Sequence, residues 1–204
     1  MSILVTKIKK PIVVQGEDDI SKLGLVHVIT GDGKGKTTSS LGLALRAAGN
    51  GLNVYIIQFL KSGFTGELSS IQKLPNITII QFGVDAIKER QSKLFTDKTG
   101  RFVFQPDDME REAARLGFEH AKRIIESGTY HLVVLDEINC VLDKGLIPIS
   151  EVIELISNHG NTELILTGRD APREIRELGD YVNEVKSIKH PWQKGIKARR
   201  GIEY

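Results

Sequence analysis

The sequence predicts an α/β fold in which one sheet of mostly parallel strands is flanked by helices. Short apolar runs rich in β-branched residues alternate with longer helical patterns, which is typical of this class. A glycine-rich turn separates the first apolar run from the first helical pattern. The later run at 131–135 is almost purely aliphatic, as expected for a strand covered by helices on both faces.

Composition and charge place the chain among ordinary globular proteins. Its 204 residues can bury a full core, and 28 Lys and Arg against 26 Asp and Glu give no general attraction for nucleic acid. No apolar run approaches the roughly 20 residues that span a bilayer. The single cysteine, Cys140, suits a reducing compartment. We therefore expect a cytoplasmic protein with neither a membrane nor a nucleic acid as partner.

We predict one folded domain over residues 25–204, preceded by an N-terminal extension over residues 1–24. Strands are predicted at the apolar runs 25–30, 53–59, 77–82, 131–135, 163–167 and 181–188. Helices are predicted, from apolar spacing and from capping residues such as Asp107 and Ser150, at 38–48, 108–127, 150–157 and 172–178. The polar stretch 84–106 has little periodicity and is predicted to be a functional loop.

A phosphate-binding loop is the strongest chemical signal in the sequence. The run between the first strand and the first helix is Gly31, Asp32, Gly33, Lys34, Gly35, Lys36, Thr37 and Thr38. Alternate glycines allow backbone N–H groups to surround an anion at a helix N-terminus. Lys36 would reach a phosphate, and the Thr37 hydroxyl would bind Mg²⁺. Thr30 occupies the first position of the standard pattern, where glycine is usual, so this is a variant Walker A motif.

Two acidic residues, Asp136 and Glu137, follow the aliphatic run and form the second half of the predicted site. Carboxylates at the C-terminal edge of a parallel sheet face a bound nucleotide and its metal. Either residue could hold Mg²⁺, directly or through water, or cap the next helix. We favour Glu137 as the metal ligand and assign the cap before Ile138 to Asp136. Together with the loop, this pair predicts a nucleoside triphosphate site.

Several motifs along the chain together resemble one family, the ATP:corrinoid adenosyltransferases of the CobA/CobO/BtuR type. The matching segments are 30–38, Arg46, 135–137, 166–169, 189–192, 195–198 and 201–204. The resemblance extends over about 25 to 204, with gaps in 84–106. The loop with threonine in its first position and the ending Gly-Ile-Glu-Tyr are its most specific parts. The resemblance implies a phosphate-loop NTPase-like (RecA-like) fold.

The resemblance also implies a reaction. It is transfer of the 5′-deoxyadenosyl group of ATP to the Co(I) centre of a reduced corrinoid, either cobalamin or a biosynthetic precursor, with release of triphosphate. The family implies dependence on Mg²⁺, a homodimer and a flavoprotein reductant. Since Co(I) is itself a strong nucleophile, the protein needs no catalytic base. It has to align cobalt with the ribose and stabilise the departing triphosphate.

The resemblance assigns roles to individual residues. Lys36, Glu137 and Arg169 are the expected catalytic residues, with Thr37 and Glu137 on the metal. Asp32 is expected near the ribose, and Lys34 and Arg46 near the phosphates, although a solvent-exposed lysine or arginine would give the same pattern.

Corrinoid reduction is implied to use aromatic side chains that displace the lower cobalt ligand. Phe102 and Phe104 are the candidates, and in an extended segment both would point to one side. The family's tryptophan does not occur in this stretch, and core packing of either phenylalanine is an alternative.

Two other functions remain open at this point. A phosphate-loop kinase or ATPase would cleave the terminal phosphate of ATP and produce ADP. A nucleotide-controlled binding module would use the basic segment 185–204 on a partner or nucleic acid, with a steep dependence on salt. The released product distinguishes both from an adenosyltransferase.

Overall fold

A computed structural model describes residues 19–83 and 106–203, with six parallel strands in one sheet. The strands are β1 Val26–Thr30, β2 Val54–Phe59, β3 Ile77–Phe82, β4 Leu132–Asp136, β5 Glu163–Thr167 and β6 Tyr181–Glu184. Their order across the sheet is β3-β2-β4-β5-β1-β6, and every neighbouring pair is parallel. The predicted α/β, phosphate-loop NTPase-like class is confirmed.

Six α-helices cross between the strands in the described ranges. They are α1 Lys36–Gly49, α2 Gly66–Ile71, α3 Pro106–Glu126, α4 Ile138–Asp143, α5 Ile149–Ser157 and α6 Arg173–Leu178. Short 3₁₀ turns lie at Ile20–Lys22 and Pro191–Lys194. Within these ranges no helix has the length and apolar character needed to cross a membrane.

Several predicted element boundaries were wrong. Helix α1 begins at Lys36, two residues early, because Gly35 is the N-cap and the helix starts inside the loop. Pro148, not Ser150, precedes α5. The cap before Ile138 is Glu137 rather than Asp136. Strand β6 ends at Glu184, where the predicted strand continued to 188.

Two apolar layers cover the sheet. On one face α3, α4, α5 and α6 pack against the strands around Phe118, Leu135 and Ile175. On the other face α1 and the end of α2 pack around Ala44 and Ile71. All residues of β2 and β4 are buried, which confirms the prediction of a strand covered on both sides.

The C-terminal ends of the parallel strands meet at one edge of the sheet. The phosphate loop follows β1, and the acidic pair lies at the end of β4. Strand β5 lies between β1 and β4, and it ends in Thr167 at the same edge. The fold therefore brings the two halves of the predicted site together.

Candidate functional site

The phosphate loop is held against the chain that follows β6. The Gly33 N–H donates to the Val185 carbonyl at 2.7 Å, and the Val185 N–H donates to the Thr30 carbonyl at 2.8 Å. The Ser187 N–H donates to Asp32 Oδ1 at 3.1 Å. Asp32 therefore anchors the loop to the C-terminal segment in this structure, and its predicted place near the ribose stays a prediction.

This packing explains two of the three glycines. A Cβ on Gly31 would lie 2.4 Å from the Val185 carbonyl oxygen, and one on Gly33 would lie 2.8 Å from it. Gly31 also has a φ of +102°, which side chains rarely adopt. Gly35 has a φ of +118° but open space around it. Glycine is therefore needed at 31 and 33 for close backbone approach, and at 35 for its conformation.

Substituting Gly31 by alanine is expected to destabilise the protein by about 2–3 kcal/mol, from backbone strain and overpacking together. The matched control is Gly42→Ala. Gly42 lies inside α1 with nothing near its Cβ position, so this change should stabilise by about 0.5–1 kcal/mol. Urea denaturation of both variants measures the two shifts. A Gly31→Ala protein as stable as the wild type would contradict the proposed loop packing.

Lys36 lies at the centre of the loop and is 7% exposed. Its Nζ donates to the carbonyls of Gly31 at 2.6 Å and Gly33 at 2.7 Å. Burial lowers the pKa of this ammonium, while the nearby negative charge of Glu137 acts in the opposite direction and Arg169 lowers it further. The structure thus brings Lys36, Glu137 and Arg169, the three predicted catalytic residues, into one electrostatic environment.

Lys34 connects the loop to the C-terminal motif. Its exposed ammonium donates to Glu203 Oε1 at 3.2 Å and to the Ile202 carbonyl at 3.3 Å. Hydrogen bonds from the Arg199 side chain and backbone lower the pKa of Glu203 to about 2, and that from Lys34 adds to them. Ile202 and Glu203, which belong to one of the most specific motifs in the sequence, therefore lie beside the loop.

Asp136 is fully buried and accepts four hydrogen bonds. Oδ1 accepts from the hydroxyls of Thr37 at 2.9 Å and Thr167 at 2.6 Å. Oδ2 accepts from Gln58 Nε2 at 3.0 Å and from Lys61 Nζ at 2.5 Å. A carboxylate has about four lone-pair positions, so this one is saturated. Asp136 is therefore suited to orienting Thr37 and not to binding a metal itself.

Glu137 and Arg169 are linked through Cys140. The Cys140 thiol donates to Glu137 Oε2 at 2.9 Å, and the Arg169 N–H donates to Cys140 Sγ at 3.1 Å. Burial, followed by the hydrogen bond to Glu137, raises the pKa of this thiol to about 11, so it stays protonated at neutral pH. Glu137 directly follows β4, has a φ of +69° and is half-buried.

Comparison with known proteins agrees with this geometry. The family model ATP:corrinoid adenosyltransferase BtuR/CobO/CobP matches residues 22–204. The chain belongs to this family. It is 33% identical to the corrinoid adenosyltransferase of Escherichia coli strain K12 over 194 residues, 94% of this chain and 90% of that protein. It is 34% identical to corrinoid adenosyltransferase CobA of Salmonella typhimurium over 183 residues, 89% and 86% of the two chains.

The predicted enzyme class is thereby confirmed: this is an ATP:corrinoid adenosyltransferase, and the substrates of its family are ATP and a corrinoid. The division into an extension at 1–24 and a domain at 25–204 stays a prediction.

Four predicted site residues have roles that the described structure does not test. Arg46 is exposed in the last turn of α1, roughly 15 Å along the helix from Lys36 at 1.5 Å per residue. Thr38 is exposed in the first turn of α1. Phe102 and Phe104 lie outside the described residues. The roles of all four stay predictions.

Thr37 and Glu137 fit a magnesium nucleotide. The Thr37 hydroxyl donates its proton to Asp136, so the lone pairs of its oxygen are available to a cation. In this structure the oxygen accepts a hydrogen bond from the Lys61 ammonium at 3.0 Å. Over residues 19–83 and 106–203, no group of three or more His, Cys, Asp or Glu side chains is placed to hold a metal ion. Mg²⁺ bound with a nucleotide takes one or two protein ligands beside phosphate oxygens and waters, and this pair matches that pattern.

Three residues at the site were missed by the sequence analysis: Gln58, Lys61 and Thr167. Gln58 lies in β2, Lys61 follows that strand by two residues, and Thr167 ends β5. A signal was available for all three, because strands of one parallel sheet end at the same edge as the loop. Polar residues at those ends are therefore site candidates.

Proposed function

We propose that this adenosyltransferase transfers the 5′-deoxyadenosyl group of ATP to Co(I) of a reduced corrinoid and releases triphosphate. Cobalt attacks the ribose 5′-carbon with its electron pair, the bond from that carbon to the phosphate oxygen breaks, and triphosphate leaves with the bonding pair. The observation that carries the proposal is the buried Lys36 at the N-terminus of α1, inside a domain that matches the adenosyltransferase family.

Stabilisation of the departing triphosphate is the main task of the protein residues in this reaction. Charge builds on the leaving oxygen, and pre-oriented cations and backbone N–H groups stabilise it without having to reorganise. Lys36 and the N-terminus of α1 supply the loop side, and Arg169 supplies a second positive charge within electrostatic range of Lys36. Asp136 acts indirectly, by orienting Thr37.

Thr37 and Glu137 would hold the Mg²⁺ that accompanies ATP. When bound, the ion neutralises part of the polyphosphate charge. Phe102 and Phe104 are proposed to lie against the corrinoid. The proposal further includes a homodimer, a flavoprotein that supplies the electrons for Co(I), and a cytoplasmic location in which Cys140 remains a thiol.

Arg169→Ala is expected to slow turnover about a hundredfold and to weaken ATP binding less than about fivefold. The Arg169 side chain is exposed in this structure. We expect its charge to count most when the triphosphate gains negative charge. Single-turnover kinetics beside equilibrium nucleotide titration separates the two effects. Arg173→Ala is the control, because Arg173 is exposed on α6 and pairs with Glu177. Equal losses in both measurements would contradict a role in the transition state.

The reaction itself is tested by an anaerobic assay with ATP, Mg²⁺ and chemically reduced cobalamin. We expect a light-sensitive cobalt–carbon product in a one-to-one ratio with triphosphate. The same assay with a cobalamin precursor tests which corrinoid is preferred. Accumulation of ADP or inorganic phosphate without an alkylated corrinoid would favour the kinase or ATPase alternative and overturn the proposal.

A further inference from the structure

Lys61 lies at the centre of the site, yet the proposed reaction gives it no role. Its Nζ is 2.5 Å from Asp136 Oδ2 and 3.0 Å from Thr37 Oγ1. The Asp136 side chain is fully buried and that of Lys61 is 28% exposed. The Lys61 ammonium therefore contacts both Thr37, the predicted metal ligand, and Asp136, which orients Thr37.

The hydrogen-bond directions show that Lys61 occupies a lone pair of the Thr37 hydroxyl oxygen. Thr37 donates its only hydroxyl proton to Asp136 Oδ1, so its contact with Lys61 uses an oxygen lone pair. A Mg²⁺ ion bound by Thr37 would also use a lone pair of this oxygen. Two cations at one hydroxyl oxygen repel each other strongly, since the site is partly buried. Lys61 in its present position and Mg²⁺ on Thr37 are thus competitors.

The chain around Lys61 is anchored, whereas its side chain has freedom to move. The Leu60 N–H donates to the Phe82 carbonyl at 3.0 Å, and Leu60 has a φ of +55°. A Cβ on Gly83 would lie 2.4 Å from the Lys61 carbonyl oxygen, so the end of β3 holds this backbone closely. The lysine stem has four carbons and carries a compact point charge. The ammonium can therefore change partners without movement of the sheet.

We propose that Lys61 holds the cation position at Thr37 in the nucleotide-free enzyme and yields it when the magnesium nucleotide binds, its ammonium then contacting the polyphosphate. The inference rests on the proposed binding of magnesium ATP at the loop. It makes Lys61 a residue that couples metal binding to nucleotide binding. Asp136 has a positive charge beside it in both states, the Lys61 ammonium before the nucleotide binds and Mg²⁺ afterwards. The metal alone binds poorly, because no polyphosphate is present to attract Lys61 away.

The test measures binding of Mn²⁺ alone, as a paramagnetic substitute for Mg²⁺, to the nucleotide-free protein by the loss of its free-ion resonance signal. Lys61→Met is expected to bind Mn²⁺ at least about tenfold more tightly than the wild type, since one competing charge is removed. Lys61→Arg retains the charge and should stay within about threefold of the wild type. Lys73→Met, an exposed lysine beyond α2 near the start of β3, should match the wild type.

Unchanged Mn²⁺ affinity in folded Lys61→Met would overturn the inference and leave Lys61 as a simple counter-ion of Asp136. A second measurement uses the wild-type protein and does not depend on folding of a variant. The ¹⁵N resonance of the Lys61 ammonium, assigned with Lys61→Arg, should shift on addition of magnesium triphosphate. No shift, with triphosphate bound, would also overturn it. Failure of the wild type to bind magnesium ATP would instead contradict the proposed function.

Discussion

ATP affinity is expected to fall at least about a hundredfold when Lys36 is replaced by alanine. The ammonium is buried among backbone carbonyls at the N-terminus of α1, where hydrogen bonds to a charged phosphate each contribute about 1.5–3 kcal/mol. Such a contribution corresponds to roughly one to two decades in the dissociation constant. Loss of the loop's shape adds to this, because Lys36 bridges the carbonyls of Gly31 and Gly33.

Calorimetric titration with ATP and Mg²⁺ measures this effect. Lys34→Ala is the matched control, since Lys34 belongs to the same loop but is exposed and paired with Glu203. We expect Lys34→Ala to weaken ATP binding less than about tenfold, as is usual for an exposed ion pair. Wild-type affinity in a folded Lys36→Ala protein would refute the phosphate-loop assignment.

The strands and the loop were predictable from the sequence because local pattern determines them. Five of the six strands end within one residue of the predicted position, and the loop lies between β1 and α1 as expected. Helix α2 was missed because its six residues form fewer than two helical turns and leave no apolar repeat to detect. Strand β6 is exposed along its whole length. Its sequence therefore has no alternation of core and surface residues that would mark where the strand ends.

Part of the site depends on contacts between distant segments, which no local pattern contains. Asp136 and Glu137 were both identified as acidic candidates, and the structure distinguishes them. Asp136 has all its acceptor positions occupied. Glu137 lies just after the strand with a φ of +69°, and its carboxylate accepts a hydrogen bond from the Cys140 thiol. The local pattern indicates an anion-binding role for the glycine at 31, whereas its close approach to Val185 joins positions 154 residues apart and has no local signal.

Removal of the Asp136 carboxylate is expected to be the most destabilising single change at the site. Asp136→Ala would leave Lys61 without its partner and remove the acceptor for Thr37, Thr167 and Gln58. Breaking a buried ion pair by removing one partner costs about 3–5 kcal/mol. Urea denaturation at pH 7 should show this loss in the free energy of unfolding. Asp143→Ala, at the exposed end of α4, should change it by less than about 0.5 kcal/mol.

A double-mutant cycle separates the ion pair from the other hydrogen bonds of Asp136. Asp136→Asn keeps the side-chain volume but places a neutral amide against the Lys61 ammonium, so it should still cost about 2–4 kcal/mol. Adding Lys61→Met removes the unpaired charge and should recover at least about 1.5 kcal/mol of that loss, as expected for residues in direct contact. Strictly additive effects would show that the two charges do not interact. Thr37 would then be oriented by hydrogen bonding alone, and the competition between Lys61 and the metal would lose its electrostatic basis.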